Sequence, residues 1–253
     1  MKFSYDEFVL YKQLFNGILM KDFQLTPLIE NDVIRQIIQN DHRMENGNLS
    51  VERINELIMS ARIEDFSEID TTNTDELELA GEIYMYVNLL KSNVSLQSAT
   101  DVHIFITKLN KWLFKYGKSG GTTREGPVRI SGKTVKTSEP SKIMADLMGL
   151  ANEFVSDNDE FILKITTYHH GFTVVHPFTD GNGRTARGFL NKQLQNHQLP
   201  MVVIKLDERD KYHDALEHAD SGSLDALELF VMRHIVLSYV KIMSKLPDLT
   251  NFK

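Results

Sequence analysis

The residues best equipped for chemistry lie in one run, His176-Pro177-Phe178-Thr179-Asp180-Gly181-Asn182-Gly183-Arg184-Thr185-Ala186-Arg187. A histidine can take a proton from a hydroxyl near neutral pH, so His176 is a candidate general base. Gly181, Asn182 and Gly183 precede an apolar-periodic helix. Their backbone N–H groups would converge at its positive end and form a place for an anion. Arg184 and Arg187 stand three residues apart on roughly one face. Two guanidinium groups at a helix N-terminus oppose its macrodipole unless an anion joins them, and a phosphate chain would answer that need. Asp180 adds a hard oxygen beside the same place, where Mg²⁺ is commonly held by one or two carboxylates plus substrate phosphates. An EF-hand loop needs regular acidic positions and a terminal glutamate, and a Walker A loop ends in Gly-Lys-Ser/Thr. Neither fits.

The elements that must carry this run read mostly as helix. Ser4 to Glu7 form a capping box opening a helix to about Met20. Thr26-Pro27 start a second, carrying Ile34, Ile37 and Ile38, which should fray near Asn40 before the break at Asn46-Gly47-Asn48. Ser50 caps a third. Further helices are predicted from the polar Thr71–Asp75 stretch to Leu90, from Ala99 to Tyr116, from Pro140 through Leu150, and from Asn158 to His169. Others follow from Gly183 to Asn196, Asp210 to Ala219 and Ser223 to Leu246. Between Gly117 and Ser138 the pattern changes: Val128 and Ile130 alternate with Arg129, and Val135 follows a turn-like Ser131-Gly132-Lys133. That stretch is the best β-hairpin candidate, with a glycine-rich loop as the alternative.

Composition bounds the function. The 253-residue chain has 28 Lys and Arg against 35 Asp and Glu, a net charge of −7. A general nucleic-acid binder or an anionic-lipid binder would be basic instead. With no cysteine, disulfides, thiolate metal sites and a cysteine nucleophile are excluded. No apolar run is long enough to cross a bilayer, and the N-terminal residues lack the apolar core of a signal peptide. The expectation is a cytoplasmic protein with neither nucleic acid nor membrane as partner.

The run His176–Arg187 resembles the signature of the Fic (Fido-domain) family, His-Pro-Phe-x-Asp/Glu-Gly-Asn-Gly-Arg-x-x-Arg, with every defining position filled. The likeness continues upstream to His169 and Val174-Val175, and downstream to Asn191, Pro200, Tyr212 and the Ala219-Asp220-Ser221-Gly222 turn. It covers about Ile104 to Tyr239. The resemblance implies a mainly α fold, a helical bundle with one β-hairpin flap before the motif. It divides the chain into an N-terminal helical region, 1–95, packed on a core domain, 96–253. It also implies transfer of AMP from ATP to a protein hydroxyl. His176 would be the base and Asp180 the Mg²⁺ ligand. Gly181, Asn182, Gly183 and Arg184 would bind phosphates, and Arg187 would hold the γ-phosphate. Tyr212 and Asp220 would help frame the adenine, Asp220 standing where asparagine is common. Arg124, Val128 and Ile130 would form the flap to which a target segment adds as a strand. Glu125 stands where the family usually has threonine. Homo-oligomerisation is left open.

Many family members carry an inhibitory helix, Ser/Thr-x-x-x-Glu-Gly/Asn, whose glutamate takes the second motif arginine from the γ-phosphate. Two stretches resemble it. Asp41-His42-Arg43-Met44-Glu45-Asn46 keeps the second half, with Asp41 replacing Ser/Thr. Ser60-Ala61-Arg62-Ile63-Glu64 keeps the first half, followed by Asp65. Glu45 and Asn46 are favoured because Gly47 to Glu52 resemble the family's continuation, and because a helix ending at Asn46 presents Glu45 at a tip. The resemblance leaves two other functions: removal of AMP at the same site, with Glu45 orienting a water, and a nucleotide-sensing module without turnover.

Overall fold

The computed structural model describes residues 4–19, 27–62, 67–117, 120–129, 135–156 and 160–244. Over these it contains ten α-helices: α1 Tyr5–Leu19, α2 Pro27–Met44, α3 Val51–Arg62, α4 Thr74–Lys91, α5 Ala99–Leu113, α6 Ile143–Ser156, α7 Phe161–Val175, α8 Asn182–Asn196, α9 Arg209–Asp220 and α10 Asp225–Ser244. Short 3-10 turns, Pro140–Lys142 and Leu206–Glu208, lead into α6 and α9.

Helix α8 is the axis. Its composition is polar, yet nearly every residue from Asn182 to Leu194 is buried. A helix buried all round is normally apolar, so each polar side chain must find a partner inside. Asn191 exchanges two bonds with the Val202 backbone, at 2.8 and 3.2 Å. Lys192 donates to the carbonyls of Leu89 and Ser92, closing the negative end of α4. Around this axis pack α4, α5 and α7. Helix α5 starts at a capping box, Ser98 with Asp101, and turns Val102, Phe105, Ile106, Leu109 and Leu113 inward. Phe154, Tyr168 and Phe189 meet edge-on or tilted where α6, α7 and α8 converge. The N-terminal helices share this core: α1 lies on α10 through Phe15 and Ile18, and α2 packs on α3 and α4 through Ile34, Ile37 and Ile38.

Three sequence expectations change. Helix α2 does not fray near Asn40 but continues to Met44, because Asp41, His42 and Met44 are buried. It ends in a Schellman turn: Asn46 is left-handed at φ 65, Asn46 N–H donates to Arg43 O, and Gly47 N–H donates to His42 O. Helix α7 runs past His169 to Val175, directly into the motif. The hairpin shows no strand among the described residues, and Ile130 with the expected turn at 131–134 lies outside them. Its arms are instead gathered by side chains. Thr137 Oγ1 donates to Val128 O at 2.8 Å, and Arg124 donates to Gly126 O and Ser138 O. Among the described residues the one ladder-like contact is an isolated antiparallel bridge between Thr123 and Phe178. Glu64 also lies outside the described residues.

Candidate active site

The motif forms the turn between α7 and α8. His176 ends α7 in a left-handed conformation, φ 50 and ψ 59, with its N–H still donating to Phe172 O. Left-handed backbone is uncommon for a residue with a side chain, and Arg124 holds it in place. Arg124 Nε donates to His176 O at 2.7 Å, and Arg124 N–H donates to Pro177 O at 2.9 Å. The His176 ring has Nδ1 3.4 Å from Thr173 O. A carbonyl only accepts, so this contact favours the tautomer with hydrogen on Nδ1 and leaves Nε2 to take a proton.

Asn182 clamps the loop. Its Oδ1 accepts from Phe178 N–H at 2.9 Å and its amide donates to Phe178 O at 2.8 Å. From the far side Asn110 on α5 donates to Asp180 O and Thr185 Oγ1 and accepts from Gly121 N–H. Gly181 caps α8 at φ 72, and a Cβ there would stand 2.5 Å from Leu113. Both its backbone and its surroundings require glycine. Gly181 has no side chain with which to cap α8, and a helix N-terminus of this kind suits an anion. The Asp180 carboxylate is half exposed and accepts from Gly181 N–H.

The two arginines are buried and face acids. Arg184 donates to Glu78 Oε2 at 3.2 Å and lies over the Phe114 ring. Arg187 reaches α2, more than 140 residues earlier in sequence. Its Nε lies 3.0 Å from both carboxylate oxygens of Asp41, and its NH2 lies 3.0 Å from Glu45 Oε1. The anion that two arginines at a helix N-terminus call for is met here by carboxylates of the chain itself. Burial opposes the charge on Arg187, but Asp41 and Glu45 more than restore it and hold its pKa well above normal. Burial pushes the Asp41 carboxyl up, against the pull of Arg187. Burial pushes the same way at Glu45, but Arg187 and Arg184 outweigh it and hold that carboxyl below the usual range.

These groups surround one cleft, lined by Glu45, His176, Asn182, Gly183, Arg187 and Tyr212, with Met44, Thr173, Arg209, His213 and Leu216 completing it. Its volume is about 180 Å³, below the several hundred Å³ usual for a drug-sized ligand. A larger cavity of about 580 Å³ lies between α2 and α10 and contains no motif residue. Tyr212 is buried in the cleft wall, with its hydroxyl 2.6 Å from His169 Nε2. Burial pushes that hydroxyl up to about 12. Asp220 does not line the cleft. It lies one turn beyond Leu216, with Oδ1 2.8 Å from His170 Nε2. Arg124 also points away from solvent, being 4% exposed. Val128 lies on the irregular segment before the motif, where its carbonyl accepts from Thr137, and Asn46 forms the turn beside Glu45.

Sequence reasoning missed Asn110, Glu78 and the contact of Asp41 with Arg187. Asn110 offered one signal, a polar residue beside the apolar stripe of α5. It also missed Glu82 on α4, which is wholly buried with neither carboxylate oxygen hydrogen-bonded. Burial, reinforced by Asp41, raises the Glu82 pKa well above normal against the pull of Arg184 and Arg187. Among the described residues no cluster of three or more His, Asp or Glu could hold a metal ion. No described helix is long and apolar enough to cross a membrane.

Comparison with known proteins bears on the same segment. The chain is 33% identical over 91 residues to protein adenylyltransferase fic-1 of Caenorhabditis briggsae, a match covering 36% of this chain and 18% of that protein. It is 34% identical over 90 residues to protein adenylyltransferase Fic of Nematostella vectensis, covering 34% and 21%. The matches thus span about a fifth of these curated relatives. Among solved structures, Fic-1 from C. elegans aligns with a TM-score of 0.74 at 18% identity, over 95% of this chain and 72% of that one. A Fic domain containing signaling protein from Bacteroides thetaiotaomicron aligns at 0.72 and 18%, over 94% and 97%. At that identity the likeness is one of fold. The family model for Fic/DOC proteins matches residues 102–194, from α5 to near the end of α8. Signature, fold and sequence match agree in making residues 102–194 similar to the Fic/DOC family.

Proposed function

We propose that the chain is a protein adenylyltransferase that moves AMP from ATP to a Ser, Thr or Tyr hydroxyl of a target protein and of itself, restrained by Glu45. One observation carries this: His176, the α8 N-terminus and Arg187 line a single cleft, and a carboxylate from α2 occupies it on Arg187. The names of the curated relatives support the reaction class.

In this reaction the target hydroxyl oxygen forms a bond to the α-phosphorus, the bond from that phosphorus to the β-phosphate bridging oxygen breaks, and pyrophosphate leaves. His176 Nε2 takes the hydroxyl proton. The N–H groups of Asn182 and Gly183, with Arg184, meet the phosphates. Arg187 meets the γ-phosphate, so that charge and alignment are set before reaction. A lone, half-exposed carboxylate beside a phosphate site suits Mg²⁺, which completes its shell with substrate oxygens and water. Asp180 would hold it there, where it neutralises phosphate charge. Tyr212 and His213 form the wall for the base.

The region 1–95 carries the brake and 96–253 the transferase core, in a cytoplasmic protein. Val128, on the segment gathered by Thr137 and Arg124, would offer its edge to a target strand. Arg124, turned inward, serves docking only by fixing the flap to the motif. A second assignment, removal of AMP from a modified protein, is favoured by one feature: the Glu45 carboxylate shares the cleft with His176 and could orient a water.

Reaction class is tested with Glu45→Gly protein, Mg²⁺ and ATP labelled at either the α- or the γ-phosphate. AMP transfer leaves only the α-label on protein, and His176→Ala in the same background removes nearly all of it while ATP still binds. Retention of the γ-label would mean phosphate transfer. Equal behaviour with and without His176 would mean a binding module.

A further inference from the structure

Arg187 is held by two acids in unlike ways. Asp41 and Glu45 lie four residues apart, on one face of the end of α2. The Asp41 side chain is 2% exposed and takes Nε, the inner nitrogen of the guanidinium, with both oxygens. The Glu45 side chain is 40% exposed and takes the terminal NH2. Glu45 lines the cleft and Asp41 does not. An anion entering the cleft therefore meets the terminal nitrogens and competes with Glu45, while the Nε side stays covered.

A buried guanidinium stripped of every partner is strongly unfavourable, and it would turn toward whatever carboxylate or carbonyl lay near. If Glu45 were its only acid, displacing Glu45 would leave Arg187 charged, buried and unaligned until phosphate arrived. Asp41 removes that gap. Its charge-assisted contact at Nε fixes the plane of the guanidinium and aims the terminal nitrogens into the cleft. A neutral hydroxyl at this position, as in the Ser/Thr pattern noted above, would supply a hydrogen bond without the charge.

We propose that Asp41 is a positioning residue that keeps Arg187 aimed at the γ-phosphate whether or not Glu45 is engaged, so that only Glu45 is the exchangeable partner. This rests on the assignment of Arg187 to the γ-phosphate made above, and it gives Asp41 a role opposite to that of Glu45.

The test compares Glu45→Gly with Glu45→Gly/Asp41→Asn and Glu45→Gly/Asp41→Ser, all checked for folding by thermal melting. Affinity for ATP and for ADP is measured by calorimetry, together with KM and kcat for labelling from α-labelled ATP. The expected result is a loss of about tenfold or more in ATP affinity, with KM raised in step, and a change in ADP affinity of less than about threefold, because ADP has no γ-phosphate. A general loosening of the fold would weaken both nucleotides alike. An unchanged ATP-to-ADP preference in the double variants would overturn the proposal. So would labelling by Asp41→Asn alone that reaches the level of Glu45→Gly, since Asp41 would then be a second brake. Should Asp41→Asn fail to fold, Asp41→Ser carries the same comparison. If Glu45→Gly shows no transfer at all, the adenylyltransferase assignment fails, while the ATP-to-ADP preference still decides the role of Asp41.

Discussion

The motif loop and the tip of α2 bring opposite charges to the same cleft, but they are fastened in opposite ways. The loop is fixed from inside. Asn182, Asn110 and Arg124 are buried and bind its backbone directly. The tip is closed by its own Schellman turn, and its only charged group in the cleft is a half-exposed carboxylate on Arg187. Buried hydrogen bonds are costly to break because the abandoned partner cannot return to water. An ion pair open to solvent is worth far less. Under the proposed function, the loop that performs the chemistry has the first kind of support, and the Glu45 carboxylate that gives way to ATP has the second.

That contrast can be broken most severely at the base. In the Glu45→Gly background, His176→Ala is expected to lower the labelling rate by about 10²- to 10⁴-fold, the usual worth of a positioned general base. Single-turnover labelling checks it. Arg124→Ala attacks the support rather than the chemistry. It leaves the carbonyls of His176, Gly126 and Ser138 without their donor and is expected to cost about 2–4 kcal/mol in a denaturant melt. Gly47→Ala loosens the tip. A Cβ there would stand 2.1 Å from the His42 ring, so His42 must move, at about 1–3 kcal/mol. Labelling should rise, though less than in Glu45→Gly.

The smallest effect concerns Glu82, behind the arginines. Its folded pKa is raised, so between the unfolded carboxyl value and that raised value the folded state binds one more proton. Its contribution to stability is fully present below the unfolded value and is lost as pH rises through the folded one. Glu82→Gln mimics the protonated form. It should leave acid stability nearly unchanged and flatten that decline, as read by melts across pH.

What was legible in the sequence follows the range of the interactions. The motif was legible because its base, acid, glycines and arginines are adjacent, and the helices because their apolar spacing is local. Helix α7 was read short because Thr173, Val174 and Val175, beyond His169, are β-branched and weaken helix propensity. Burial against α8 and the Thr173 hydroxyl bond to the preceding turn carry the helix through them. The end of α2 was misjudged because Asp41 and His42 look solvated. Their burial is decided by Arg187, 146 residues away, and by the Leu49 N–H that donates to the His42 ring. The partners Asn110 and Glu78, and the inward turn of Arg124, also depend on long-range packing. No spacing rule reaches them. Glu45 was legible only through its likeness to a known inhibitory pattern.

The proposal that Arg187 is contested between Glu45 and ATP is tested most directly by the initial rate of self-labelling from α-labelled ATP. Wild type and Glu45→Gly are compared at equal concentration and at a temperature where both are folded. The expected result is a rise of about tenfold or more in the variant, corresponding to about 1.4 kcal/mol of released restraint. Equal rates in two folded proteins would contradict it.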